Sequence, residues 1–427
     1  MRIRIDHIAK IEGHAGFTAE IVGGNVTSAR LSVLEGARLL EGILRDRKYY
    51  EVSHITARIC GVCPVVHTLT SLKALEEAMD IKISAPTIFL RKLLMLGQII
   101  NSHALHIFFF SLSDFFGVDN DLELIAKYPE KAKDAMAIRE FGNKIIEIIG
   151  GRSIHPLTPE VGGFTKLPKS EAIEKIGDRA KEILPKAIGL AELFAKLKYP
   201  KFERKTEFVS LFSKNEYAIY DGEISVSGKK SKIDVYDFLK KVKEFQVAED
   251  AVKRTELDEK PYMVGAIARI NNNGKQLNPR SQKILKASKI KLPSLNPFHN
   301  ILAQAIETVH CIEEVIRLID SVRGLSSDKS KICAGVGLPA EASAKAGAAA
   351  IEAPRGTLFY FYEVGDNGLI KNCNIITPTA QNLARLEEDL KIWLPQLKIL
   401  KLSEREIKDK IKMLIRAYDP CLTCATH

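Results

Sequence analysis

Apolar and polar residues alternate over the first 35 positions, in RIRIDHIAKI, FTAEIVGG and VTSARLSVLEG, and this predicts strands in a small hairpin or meander turning at GGN. From Gly36 to Lys48 the spacing becomes helical. Cys60 and Cys63 follow in a loop that leads into a helix from Pro64 toward Met79, where a proline in the first turn has no N–H to lose. After Pro86 the stretch LRKLLMLGQIINSHALHIFFFSLSDFFG is apolar over most of its faces, which predicts a long central helix. Helices are predicted at 131–150 and 170–198, with the Pro/Gly loop IHPLTPEVGGF between them. Residues 207–226 read as a peripheral β excursion, KIDVYDFLKKVKEF as a helix, and Asn296–Arg323 as another. AAAIEAPRGTLFYFYEV returns to β character and ends at a GDNG turn. NCNIITPTAQN reads as a loop, and Leu383–Ala417 as helix broken once at Pro395. The pattern gives a mainly α chain with small β elements, an α+β fold built on long helices. No repeat, linker or composition shift divides it, so 1–427 reads as a single integrated domain.

Composition narrows the function classes. Of 427 residues, 46% are hydrophobic and 27% charged, the balance of a globular protein that can bury a large core. The net charge of +10 comes from lysines spread along the length without a compact basic run, so nucleic-acid binding is not expected. Seven cysteines make an odd count, and four of them stand in CxxC spacing. That argues against a secreted disulfide framework and for a reducing, cytoplasmic setting. MRIRIDHIAK lacks the apolar core of a signal peptide. The longest apolar run, Leu93 to Phe116, is interrupted by Gln98, Asn101, His103 and His106, so no membrane span is expected.

The two pairs, Cys60/Cys63 in RICGVCPVVH and Cys421/Cys424 in DPCLTCATH, supply a tetrathiolate set from opposite ends of the chain. Structural zinc is the commonest use of such a set, and a single CxxC can also be a thiol–disulfide pair. Zinc knuckles are usually local, whereas almost the whole chain separates these halves. Polar residues also recur in apolar settings, at Glu12–His14, Arg58, His67, His103, His106, Asp114, Arg355 and Asp419. A structural zinc needs none of them. A catalytic metal does, to orient ligands and move protons. Cys311, Cys333 and Cys373 have no motif around them and read as packing residues.

Taken with KIEGH, APRGTL and ITPTAQN, the two cysteine motifs resemble those of the large, catalytic subunit of nickel–iron hydrogenases, from end to end of the chain. The nearest flavour is the cytosolic, NAD(P)-linked and sulfhydrogenase branch. The resemblance implies that fold and reversible heterolytic cleavage of H2 into protons and electrons. It makes Cys60 and Cys421 terminal nickel thiolates, and Cys63 and Cys424 the pair bridging nickel to iron. The iron would carry carbon monoxide and two cyanides. The base would be the Cys421 thiolate or the guanidine of Arg355, with Asp114 and Asp419 holding that arginine. Glu12 would be the first proton relay, His67 would bond a bridging sulfur, and Pro378 and Thr379 would stand beside the iron diatomics. Glu41, the backbone carbonyl of Ile375 and His427 would hold a second cation, magnesium or iron. In many relatives a histidine follows the RGTL segment; here Tyr360 stands at about that place, which favours the NADP-linked branch. Precursors in the family carry a tail cut after the equivalent of His427, so this chain is expected to be the mature form or one made without a tail.

No further cluster-binding cysteine set is present, and no GxGxxG follows a strand. Electrons are therefore expected to leave through an iron–sulfur small subunit docked near Glu12, with flavin and NAD(P)-binding subunits beyond it. Two alternatives stay open at this point: a hydrogen-sensing subunit with the same ligands, and a zinc-stapled interaction protein.

Overall fold

Strands Arg2–Ile5, Ala15–Val22 and Asn25–Val33 form an antiparallel sheet in which Ile5 lies opposite Phe17, and Phe17 opposite Leu31. These inward residues are buried, as the period-2 pattern requires. The computed structural model describes residues 2–322 and 345–427, with Gly24, Asp119, Lys230, Glu249 and Lys401 excepted. Arg323, the predicted end of one helix, and Cys333 lie outside the described residues.

The helix Ala85–Ala104 crosses Pro129–Gly150 at very short range. A Cβ on Gly142 would sit 2.6 Å from the Gly97 carbonyl oxygen, so the crossing depends on glycine there. His299–Val322 packs on both Ala85–Ala104 and Ser170–Ala195. By length and composition Ala85–Phe116 could cross a membrane, but most of its apolar stretch is buried inside the chain. Its polar interruptions, His103 and His106, are buried too.

A second sheet positions the chemistry. Lys345–Ala353, Gly356–Val364 and Ile370–Ile376 are antiparallel, and Ala353 faces Gly356 across a tight turn at Pro354–Arg355. Gly356 has φ 134°, and a Cβ there would meet Val264 Cγ2 at 2.4 Å. The hairpin lies along helix Pro64–Ala78. Tyr362 and Tyr360, two apart on one strand face, hydrogen-bond Ser71 and His67, one turn apart on the helix. That register carries the Arg355 turn to the helix N-terminus, beside Cys63.

Several sequence expectations need correction. Gly36–Lys48 is not one helix: a short turn of helix, Leu40–Leu44, is isolated by left-handed residues Leu39 (φ 54°) and Asp46 (φ 61°). The KIDVYDFLKKVKEF helix covers only Val235–Leu239. VKEFQ is a strand, Val242–Gln246, paired residue for residue with Lys253–Leu257, so cross-strand pairing outweighs its helical spacing of Val242 and Phe245. NCNIITPTAQN is not a loop. Ile370–Ile376 is a strand despite its asparagines, and a helix starts at Pro378. Pro395 does not break that helix, which runs from Pro378 to Ile399 while Trp393 is held between Phe202 and Phe298.

Candidate metal centre

The C-terminal tail is tied to the N-terminus by main chain. Helix Glu404–Ala417 ends, Asp419 takes a left-handed conformation (φ 51°), and the turned chain pairs in parallel with Glu12. Leu422 N–H donates to Glu12 O at 3.0 Å. Arg38 adds a second clamp: its N–H reaches Thr426 O at 2.8 Å and its guanidinium bonds Ile59 O and Thr423 O. It thus ties together the residues immediately before Cys60 and Cys424.

These ties bring the four predicted sulfurs together, all within 4.8 Å of one another and all buried. Cys60 lies 3.5 Å from Cys421, Cys63 lies 3.0 Å from Cys424, and Cys421 lies 2.9 Å from Cys424. Cys63 is the N-cap of Pro64–Ala78, and Pro378–Thr379 begin a second helix lining the same space, so two positive helix ends face the thiols. Thr379 Oγ1 accepts from Cys421 N–H at 2.9 Å. Burial and neighbouring thiols push the Cys421 thiol far up, and burial does the same for Cys424. Hydrogen bonding from Cys421 pulls Cys60 down. Several buried thiolates in contact need cationic charge, and soft sulfur donors from four sides fit a nickel–iron pair.

Arg355 is buried and lines that space with Cys63, Cys421 and Cys424. Its Nε donates to Asp419 O and Oδ1, each at 3.0 Å, and its Nη1 approaches Ser102 Oγ at 3.4 Å. Its Nη2 has no hydrogen-bond partner among the described residues. Burial alone would raise the Asp419 carboxyl pKa, but the Arg355 guanidinium overrides it and holds Asp419 below the usual range. Gln304 Nε2 donates to the other Asp419 oxygen at 2.8 Å.

Asp114 does not join this clamp. It is bonded to Arg416, and its second oxygen has no hydrogen-bond partner among the described residues. The reason is local: Leu105–Ser111 is a π-helical segment, which rotates the final turn Ser113–Phe116 relative to the rest of the helix. The same segment directs His106 at Arg416 O (2.8 Å) and Asp419 (3.6 Å). Arg58 is also apart, bonded to His54 O, and His14 is exposed beside His7.

Glu12 Oε2 accepts from Cys421 Sγ at 3.1 Å and from Thr423 N–H at 3.1 Å. His67 is fully buried, and burial pushes its pKa down to about 3, so the ring is neutral. Tyr360 O–H, 2.8 Å from His67 Nδ1, leaves Nε2 facing Cys424 Sγ at 3.5 Å. Glu41, Ile375 and His427 also meet. His427 Nδ1 donates to Cys424 O at 2.7 Å, while Nε2 faces Ile375 O at 2.8 Å and Glu41 Oε1 at 3.7 Å. With Nε2 free of its proton, the ring nitrogen, the Ile375 carbonyl and the Glu41 carboxylate would make a donor set that fits a divalent cation. Burial notwithstanding, His427 and Lys253 hold the Glu41 carboxyl at about 2. Sequence reading missed Arg38, Ser102 and Gln304, which sit in no motif and act through single contacts.

The fold and this centre define a class. A family profile described as nickel-dependent hydrogenase matches residues 38–139 and 211–427, and the chain belongs to that family. It is the catalytic large subunit of a [NiFe] hydrogenase, an oxidoreductase. Among relatives, sulfhydrogenase 1 subunit alpha of Pyrococcus furiosus is 35% identical, covering 100% of this chain and 97% of that one. Sulfhydrogenase 2 subunit alpha of the same organism is 32% identical over 100% and 99%. A solved NAD+-reducing [NiFe]-hydrogenase in its H2-reduced state superposes with a TM-score of 0.89 at 28% identity, covering 100% of this chain and 99% of that one.

Proposed function

We propose that this chain works in the cytoplasm with an iron–sulfur small subunit, catalysing H2 ⇌ 2H⁺ + 2e⁻, the electrons passing on through flavin subunits to NAD(P). The convergence of four sulfurs beneath Arg355, with Glu12 against Cys421, carries this reading. Cys60, Cys63, Cys421 and Cys424 would together hold a nickel–iron pair, the iron carrying carbon monoxide and two cyanides. When bound, this pair supplies the polarising site at which dihydrogen is split heterolytically. The protein residues do the rest. The unpartnered Nη2 of Arg355 offers a cationic donor in a dry space, where it acts far more strongly than in water. Glu12 Oε2 is in reach of a proton on Cys421 Sγ and passes it toward the surface. His67 donates to Cys424, and Thr379 fixes the Cys421 backbone next to the place of the diatomics. Glu41, Ile375 O and His427 would hold magnesium or ferrous iron, which would tie down the end of the chain next to Cys424.

The similarity to two sulfhydrogenase alpha subunits and to an NAD+-reducing enzyme supports the electron route, and the six cysteines among the described residues, all buried and free of disulfides, support a reducing compartment. Elemental analysis of the purified complex, with infrared spectra, tests the centre. Nickel in the sample with infrared bands of bound CO and cyanide is the expected result. Zinc without nickel would overturn it.

A further inference from the structure

Arg269 is a buried charged group whose whole guanidinium is hydrogen-bonded. Its Nε and Nη2 donate to the two oxygens of Glu307, each at 2.7 Å. Nη1 donates to Glu352 Oε2 at 2.9 Å and Ala353 O at 2.8 Å, and Nη2 also donates to Pro354 O at 3.0 Å. All five guanidinium N–H groups are thereby used. Glu307 is further held by His103 Nε2 at 2.8 Å and Tyr217 O–H at 2.5 Å, and Glu352 by Leu211 N–H at 2.6 Å and Thr357 O–H at 2.8 Å. Arg269, Glu307 and Glu352 are buried almost without exposure.

Such a network is a poor way to gain stability. Desolvating three charges costs several kcal/mol each, and apolar residues of similar volume often do as well. Its placement gives the reason for it. Ala353 and Pro354 are the two residues before Arg355, and their carbonyls both point at Arg269. In a two-residue turn the orientation of those peptide planes sets where the next side chain leaves the backbone. Glu352 fixes the strand entering the turn, and Thr357, bonded to it, fixes the strand leaving.

We propose that Arg269 is a positioning residue: anchored on Glu307, it locks the Ala353–Gly356 turn through Glu352 and the Ala353 and Pro354 carbonyls and so aims the Arg355 guanidinium at the metal face. This rests on Arg355 acting at that centre. Lysine at 269 keeps the charge but cannot bond two carboxylates and two carbonyls in one plane. In the assembled enzyme, Arg269→Lys should keep its nickel and iron, lower kcat at least tenfold, and leave KM for the electron acceptor unchanged. A crystal structure of the variant should show the Arg355 Nε–Asp419 Oδ1 bond, now 3.0 Å, broken or rebuilt. In an Arg355→Lys background the same change should cost less than twofold, because two residues acting as one unit are not additive. Equal losses in both backgrounds, or an unmoved Arg355 in the variant structure, overturn the proposal. Wild-type activity in Arg355→Lys alone would instead remove the role of Arg355. Should Arg269→Lys not accumulate, Glu352→Gln goes through the same cycle and is read by the same criteria.

Discussion

Asp419 Oδ1 accepts from Arg355 Nε at 3.0 Å with both side chains nearly without solvent exposure. Asp419 comes two residues before Cys421, and Arg355 sits at the tip of a hairpin, so the pair fastens the terminal cysteine motif to the opposite wall of the centre. Asn at 419 keeps the shape and removes the countercharge. A buried cation stripped of its partner costs roughly 3–5 kcal/mol, and the side chain is free to swing away. Asp419→Asn is expected to lower the melting temperature and to cut H2-dependent dye reduction about 10- to 100-fold, the range seen when a transition-state donor is misplaced. Unchanged turnover would show that Arg355 is held well enough by Ser102 and the hairpin.

Glu12 bonds Cys421 Sγ and the Thr423 amide, so its carboxylate is oriented by groups of the very motif it would serve. Gln preserves size and one acceptor but cannot carry a proton. If Glu12 is the first relay, Glu12→Gln retains both metals yet loses about 10²-fold or more in H2 oxidation, with Glu12→Asp recovering part of it. The check is D2/H⁺ exchange alongside metal content. Exchange at the wild-type rate in Glu12→Gln would move the relay to another group.

Much of this was written in the chain. The paired cysteine motifs, KIEGH and APRG identified the centre because each packs several ligands or contacts into a few adjacent residues, and the N-terminal sheet followed from simple alternation. What stayed illegible depended on distant partners. Asn372 and Asn374 favour turns locally, yet Asn374 lies in a strand where its amide bonds Glu244. Pro395 is a helix breaker locally, yet aromatic packing around Trp393 carries the helix through it. Asp114 stands at the family's motif position, but the π-helical segment before it turns the carboxylate to Arg416, and no sequence period reveals such a segment. Arg269 sits in no motif, and its partners Ala353 and Pro354 come to it only when the hairpin folds over it.

The displaced Asp114 has a consequence for pH dependence. Burial pushes its pKa up to about 6, with Arg416 opposing the shift. In the unfolded chain an aspartate titrates near 4, so between about pH 4 and 6 the native state binds more protons than the unfolded one. Stability from this group is therefore present at low pH and is lost as pH rises through 6. Asp114→Asn mimics the protonated form at every pH. The stability of the native chain relative to this variant should fall by on the order of 2 kcal/mol between pH 4 and 7. Thermal melts of both proteins across that range test it. A difference independent of pH would mean that Asp114 is ionised throughout.

His67 and Tyr360, at the Cys424 sulfur, offer the last test. The Tyr360 phenol is kept protonated by burial and stands 2.8 Å from His67 Nδ1; Nε2 stands 3.5 Å from Cys424 Sγ. A metal-bound thiolate at Cys424 would repel a ring lone pair, so Nε2 is expected to carry the hydrogen and Nδ1 to accept from Tyr360. The phenol thus sets the tautomer that lets His67 donate to the sulfur. Tyr360→Phe leaves Nδ1 buried without a donor, at a cost of roughly 1–3 kcal/mol. It also frees the ring to exchange tautomers. Nitrogen NMR of labelled histidine should find the Nε2–H form alone in the wild-type chain and a mixture in Tyr360→Phe, with turnover reduced severalfold. A wild-type ring protonated on Nδ1 would reverse the donor order and leave Cys424 without this hydrogen bond.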